Sequence, residues 1–221
     1  IMYILLFGLT IVTLAIIHLY GKNGKINING NTEVQNLIKE MCNEYCIETP
    51  IIEEGDNFSY NPIKNAIAIK KEFRNSLEHI VASLHEVGHY IFYNNGTILA
   101  QLTSKTLPII ILNRVVILPA YIIVLVASAF NFVEVNSSMY IVLFKYVFFA
   151  FFILASVIRL TIGIYNEIIA DHYVLGFLKK ASILVEIKSV KLLMTLAIIS
   201  QVLLALTWIS AIMLIYELLF I

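Results

Sequence analysis

Charge is scarce in this chain. Only 14% of its 221 residues are Asp, Glu, Lys or Arg, well under the roughly 25% usual for a soluble domain. Fifteen basic residues balance fifteen acidic ones, so the formal net charge is zero. No one-signed field or basic cluster is present to draw in nucleic acid or an acidic partner. Cysteine is nearly missing as well. Cys42 and Cys46 stand four apart on what reads as one helix, a spacing that would strain a disulfide. They are expected to be reduced, as befits a cytosolic setting, and to serve as small apolar packing residues. There is no internal repeat, low-complexity tract or long linker.

What the chain has in abundance is hydrocarbon. Hydrophobic residues make up 60% of it and the mean hydropathy is +0.87, a balance that points to a membrane protein. Four segments are apolar and long enough for a bilayer core that takes about 20 helical residues. The first, "IMYILLFGLTIVTLAIIHLYG", has no charged side chain, and it lacks the basic start and small-residue cleavage site of a signal peptide. It is expected to be an anchor. The others are predicted at about 114–133, 139–164 and 192–216. Lys145 and Arg159, towards opposite ends of the third, are expected to snorkel to the headgroups.

The expected organisation is therefore a first transmembrane helix over 1–21, an α+β section over 22–106, and two transmembrane helices within 107–164. A helix over 165–191 and a last transmembrane helix over 192–221 follow. In the polar section, "NTEVQNLIKEMCNEYC" opens with a capping-box pattern, Thr32 to Gln35, and sets Val34, Leu37, Ile38, Met41 and Tyr45 on one helical face. "TPIIEEG" and "NAIAIKKE" read as two short strands separated by the turn-rich "GDNFSYNP", which predicts a small hairpin. A second helix is predicted from Asn75 or Ser76 to the stop at "NNG", 94–96.

Lysines gather after the first span, before the second and between the third and fourth, whereas "EVNSSM" at 134–139 has no basic residue. By the positive-inside rule both polar sections face the cytoplasm and both termini lie outside.

The chemistry is concentrated in "SLHEVGHYIFY", 83–93. Residues four apart on a helix share a face, so His85 and His89 can both turn a ring nitrogen to one metal ion. Glu86 is rotated by about 100 degrees, beside the metal and not on it, which is the place of a general base. Two imidazoles and one further protein ligand leave a zinc ion with an open position for water. No histidine follows in 90–99 to complete a short motif, so the third ligand must be distant. "YNEIIADHYVLGF", 165–177, offers Glu167 and Asp171 four apart on one face. One can ligate while the other accepts the second N–H of a ligating histidine. Two spans separate His89 from Glu167, and an even number of crossings returns the chain to the same side. His172 lies off that face, and His18 and His79 read as interfacial or surface groups.

One span, a soluble section ending in "SLHEVGHY", two more spans and then "NEIIADHYVLGFL" make a pattern that resembles the YugP-type neutral zinc metallopeptidases of bacterial membranes. The resemblance covers nearly the whole chain and includes "FSYNPIKNAIAIKKEFRNSLEHIVASLHEVGH". It implies zinc ligands at His85, His89 and Glu167 and a base at Glu86. The E-x-x-A-D form of Glu167 to Asp171 is also similar to HtpX-like membrane peptidases, where the Asp orients a ligating histidine.

The expectation is thus a mostly α, integral membrane protein with a small zincin-like α+β section. Its activity would be that of a zinc-dependent metalloendopeptidase of the gluzincin kind, acting on peptide or membrane-protein substrates, a chemistry suited to membrane protein quality control. Strand "NAIAIKK" is the expected edge for pairing with an extended substrate, and Tyr165, Tyr173 and His172 are candidates for polarising the scissile carbonyl. The rival reading is a non-catalytic membrane adaptor or subunit with a structural or vestigial metal site.

Overall fold

The computed structural model describes residues 2–26, 33–70, 76–96, 119, 122–123, 139–181 and 186–220. The fold is mostly helical with one small sheet. The first helix, α1, spans Met2–Gly24, followed by α2 (Val34–Glu44), strands β1 (Ile51–Gly55), β2 (Ser59–Asn61) and β3 (Ala66–Lys70), and α3 (Leu77–Asn94). Two long helices complete it: α4 over Met139–Lys180 and α5 over Ile187–Phe220. Among the described residues, two helices, over Tyr3–Gly24 and Ile187–Ala211, are long and apolar enough to cross a membrane. The span expected at about 114–133 lies almost wholly outside the described residues, as does Thr32 of the expected capping box.

The chain packs as two units. One comprises the described residues of Leu14–Gln101 and Ile164–Gln201, the other those of Ile1–Thr13, Leu102–Gly163 and Val202–Ile221. In the second, the Thr13 and Thr207 hydroxyls approach to 3.4 Å, and each also donates to a carbonyl of its own helix, Leu9 and Leu203.

The first unit is built around α3. Ser76 caps it, its hydroxyl accepting from the His79 N–H at 3.1 Å, and Glu78 in the first turn suits the positive end of the helix dipole. Beyond Asn94 the chain turns off at Gly96, whose φ of +61° is the left-handed conformation in which glycine escapes a Cβ clash. The inward face of α3, with Ile80, Leu84, Val87 and Ile91, is buried with Leu37, Ile38 and Met41 of α2 and Ile67 of β3. Val174 and Phe177 of α4 and Val190 and Leu193 of α5 close the same core. The helical face foreseen on α2 is thus the buried one, although its first cap is Glu33, whose side chain makes no capping bond to the backbone.

The sheet departs from the expected hairpin. Its order is β1-β3-β2: β1 runs parallel to β3, in register Ile51 to Ala66, and β2 pairs antiparallel with β3, Tyr60 opposite Ile67. The chain crosses the Lys70 end of β3 after Gly55, runs back as β2, and reverses through Asn65 at φ 54°. Asn61 Oδ1 accepts from the N–H groups of Ile63 and Lys64 and closes this turn. Both edges of β3 are therefore occupied, and "NAIAIKK" cannot be the strand that receives a substrate.

Two smaller expectations also change. Cys46 lies just past α2 at φ 55°, exposed, whereas Cys42 is buried on the helix; both are free. His79 is buried, not superficial: its Nε2 lies 3.0 Å from the Lys70 carbonyl, with Phe58 edge-on to the ring.

Candidate metal centre

Two helices of the first unit, α3 and α4, supply the side chains of the centre. α3 carries His85, Glu86 and His89 with the turn-spaced geometry expected of them, and the imidazole rings stand perpendicular, centroids 4.7 Å apart. α4 brings Glu167 and Asp171 to the same place. One donor atom from each of His85, His89 and Glu167 lies within 4.8 Å of the others.

The approach of the two helices depends on Gly88, between the histidines. A Cβ at this position would sit 2.6 Å from the Ala170 carbonyl oxygen and 2.8 Å from its Cα. Only a residue without a side chain lets α4 come near enough for its carboxylates to reach the imidazoles.

His85 is held on both sides. Its Nδ1–H donates to Asp171 Oδ1 at 2.7 Å and its Nε2–H to Glu167 Oε2 at 2.9 Å. Glu167 Oε1 lies 3.7 Å from His89 Nε2. Burial alone would lower the His85 pKa, but the hydrogen bonds to Asp171 and Glu167 outweigh it and push it up to about 10. Next door, burial and the neighbouring His85 charge lower His89 to about 4, so its ring is neutral and its lone pair open to a metal. Glu167 resists burial through its bond to His85 and the two imidazoles, which hold its pKa below the usual carboxylate value.

Glu86 is separate from this ligand group. Burial raises its pKa to about 7; His85 opposes the shift, Glu167 adds to it, and a hydrogen bond from the Tyr60 N–H draws it back. A base whose pKa sits near neutral pH is matched to taking and returning a proton.

The donor set fits a divalent metal such as zinc: two imidazole nitrogens, one carboxylate, and a second carboxylate on the outer nitrogen of a ligating ring. All the residues expected at the site, His85, Glu86, His89, Glu167 and Asp171, are brought together. Of the other histidines, His172 and His18 are exposed. Among the carbonyl-polarising candidates, the Tyr173 hydroxyl accepts from Asn95 Nδ2 at 2.9 Å, and Tyr165 is exposed.

Sequence reasoning missed two contributors. Tyr60 acts through its backbone, and Gly88 through having no side chain, so neither carries a signal of residue type. Set against known proteins, the chain matches no family model, no curated sequence and no solved structure.

Proposed function

We propose that this protein is a membrane-embedded zinc metallopeptidase of the gluzincin kind, as its resemblance to the YugP-type enzymes implies. In this reading it has about four transmembrane helices and hydrolyses peptide bonds at the cytoplasmic membrane surface. The observation that carries the reading is the convergence of His85 and His89 with Glu167, 78 residues further along the chain than His89, while Glu86 stands beside them with a pKa near 7.

His85 and His89 through Nε2, and Glu167 through its carboxylate, would hold the ion. Zinc bound there supplies Lewis acidity and lowers the pKa of a coordinated water to about 7. The residues divide the remaining work. Asp171 accepts from His85 Nδ1 and so commits Nε2 to the metal side. Glu86 takes a proton from the attacking water at its carboxylate and returns it to the leaving amine. The Tyr60 N–H aims that carboxylate. The rival, a non-catalytic subunit with structural zinc, calls for four protein ligands, and the group among the described residues has three.

The test is metal content and hydrolysis by the full chain purified in detergent. One zinc per chain is expected, with cleavage of an unfolded protein substrate that a chelator abolishes and zinc restores. Absence of stoichiometric zinc after gentle purification would leave the adaptor reading in its place.

A further inference from the structure

α3 offers a single stripe of accessible surface. Between Leu77 and Tyr93 it is buried except at Glu78, Ala82, His85, Glu86, His89 and Tyr93, which follow one another turn by turn along one side of the helix. A peptide that reaches the metal centre must lie over this stripe. Past His89 the next residue on it is Tyr93, one turn further and about 6 Å along the helix axis. An extended chain advances about 3.3–3.6 Å per residue, so a substrate side chain within two positions of the bond at the metal can reach Tyr93.

Tyr93 does not stand alone there. Its ring centroid lies 5.6 Å from that of Tyr60 on β2, with the planes tilted by 42°, and Tyr60 in turn meets Tyr90 edge-on at 5.7 Å. The polar ends of these two supporting rings are taken up elsewhere: Tyr60 donates its hydroxyl to Asn65 Oδ1 at 3.2 Å, and Tyr90 to the Glu48 carbonyl at 2.8 Å. Tyr90 is part of the hydrophobic core and Tyr60 packs against it, whereas Tyr93 belongs to neither group. Both Tyr60 and Tyr93 are half-buried, so ring surface is left open at the end of the stripe and is backed by a buried ring. We propose that Tyr93, set against Tyr60, forms a substrate subsite that selects peptides with an aromatic or bulky aliphatic side chain beside the scissile bond. Aromatic rings meet favourably at centroid separations of about 4.5–7 Å, so a further ring can join the pair without displacing it. A charged side chain would lose water against the rings and gain no partner. The subsite rests on the peptidase reading of the metal centre and adds to it a class of substrate.

The experiment uses the full zinc-loaded chain in detergent, with unfolded casein as the probe. The bonds it cuts are mapped by mass spectrometry, and a fluorogenic peptide built on one of them is made with either Phe or Ala at the position beside the cut that the map favours. Cuts should cluster within two residues of Phe, Tyr, Leu or Met, and kcat/KM should favour the Phe peptide by about 10-fold or more, the worth of an aromatic contact together with its burial. In Tyr93→Ala that ratio should fall to about threefold or less, mainly through KM, because a contact made equally with substrate and transition state acts on binding. Zinc content should match wild type. Tyr93→Phe should keep the preference, and Ile63→Ala, at an exposed position, should behave as wild type. If Tyr93→Ala lowers the melting temperature, Tyr93→Leu, which keeps bulk without the ring, must still weaken the preference for Phe. A map without such clustering, or a ratio unchanged in the folded Tyr93 variants, overturns the subsite while leaving the peptidase standing. A zinc-loaded wild type that cuts nothing overturns the peptidase reading, and the subsite with it.

Discussion

Gly88 and Ala170 meet backbone to backbone, so closely that the missing Cβ of Gly88 would lie 2.6 Å from the Ala170 carbonyl oxygen. This one contact brings His85 of α3 within hydrogen-bonding distance of both carboxylates of α4, and His89 to 3.7 Å from Glu167.

Gly88→Ala follows directly. In an ordinary helix interior the change stabilises, by up to about 1 kcal/mol. Here a methyl group must displace backbone on both helices, an overpacking cost of about 1–3 kcal/mol, so the net effect should be destabilising. Zinc content should fall as well, since parting the helices moves Glu167 from the histidines. Thermal melting and metal analysis of the variant check this; a more stable variant with full zinc would mean the two helices do not pack as described.

The acidic residues should separate by role. Glu86→Gln should keep zinc near the wild-type level while hydrolysis falls by about 10²–10⁴-fold, the usual worth of a general base. Glu167→Ala should lose zinc and activity together. Asp171→Asn should fall between them, about 10–100-fold down in affinity or rate. Metal analysis alongside a peptidase assay gives the ordering, and a zinc-free Glu86→Gln would exchange the assigned roles.

Zinc loading should be coupled to protons with a definite sign. His85, at about 10, is protonated at about pH 8, whereas His89, at about 4, is already neutral. Each ion bound should therefore release about one proton, and affinity should climb about tenfold per pH unit until about pH 10. In chelator-treated protein the raised His85 pKa makes a stabilising contribution that is complete below its ordinary value of 6.5 and lost as pH rises through about 10. Calorimetry in buffers of different ionisation enthalpy counts the protons; none released at about pH 8 contradicts the His85 assignment.

Orientation is open to labelling. With the lysine bias as the guide, a cysteine at Ser137 should react with an impermeant reagent applied outside the cell, and one at Ser182 should stay protected until the membrane is permeabilised. The reverse pattern would put the centre on the outer face.

The helices of the first unit could be read from the sequence because their signals are local: apolar spacing on α2, and a serine cap and a terminal Asn-Asn-Gly on α3. The approach of Glu167 to the histidines was also accessible, because Glu167 and Asp171 stand four apart, on one face of a helix. The sheet was not. β2 is three residues long inside a turn-rich stretch, and the parallel register of β1 on β3 is set by where the chain crosses, which no local pattern encodes. His79 gave no sign of burial because its bond goes to the backbone carbonyl of Lys70, a partner without residue identity.

α4 runs from Met139 to Lys180 without a break, and this makes spacing along it as binding as residue identity. Ala170, which meets Gly88, and the carboxylates of Glu167 and Asp171 are carried on this same stretch of helix. Inserting or deleting a single residue between Glu167 and Ala170 would turn Glu167 by about 100 degrees against the Gly88 contact. Either Glu167 would leave the histidines, or Ala170 would leave Gly88. Loop-borne ligands tolerate indels; these cannot, so chain length here should be as constrained as the ligands themselves.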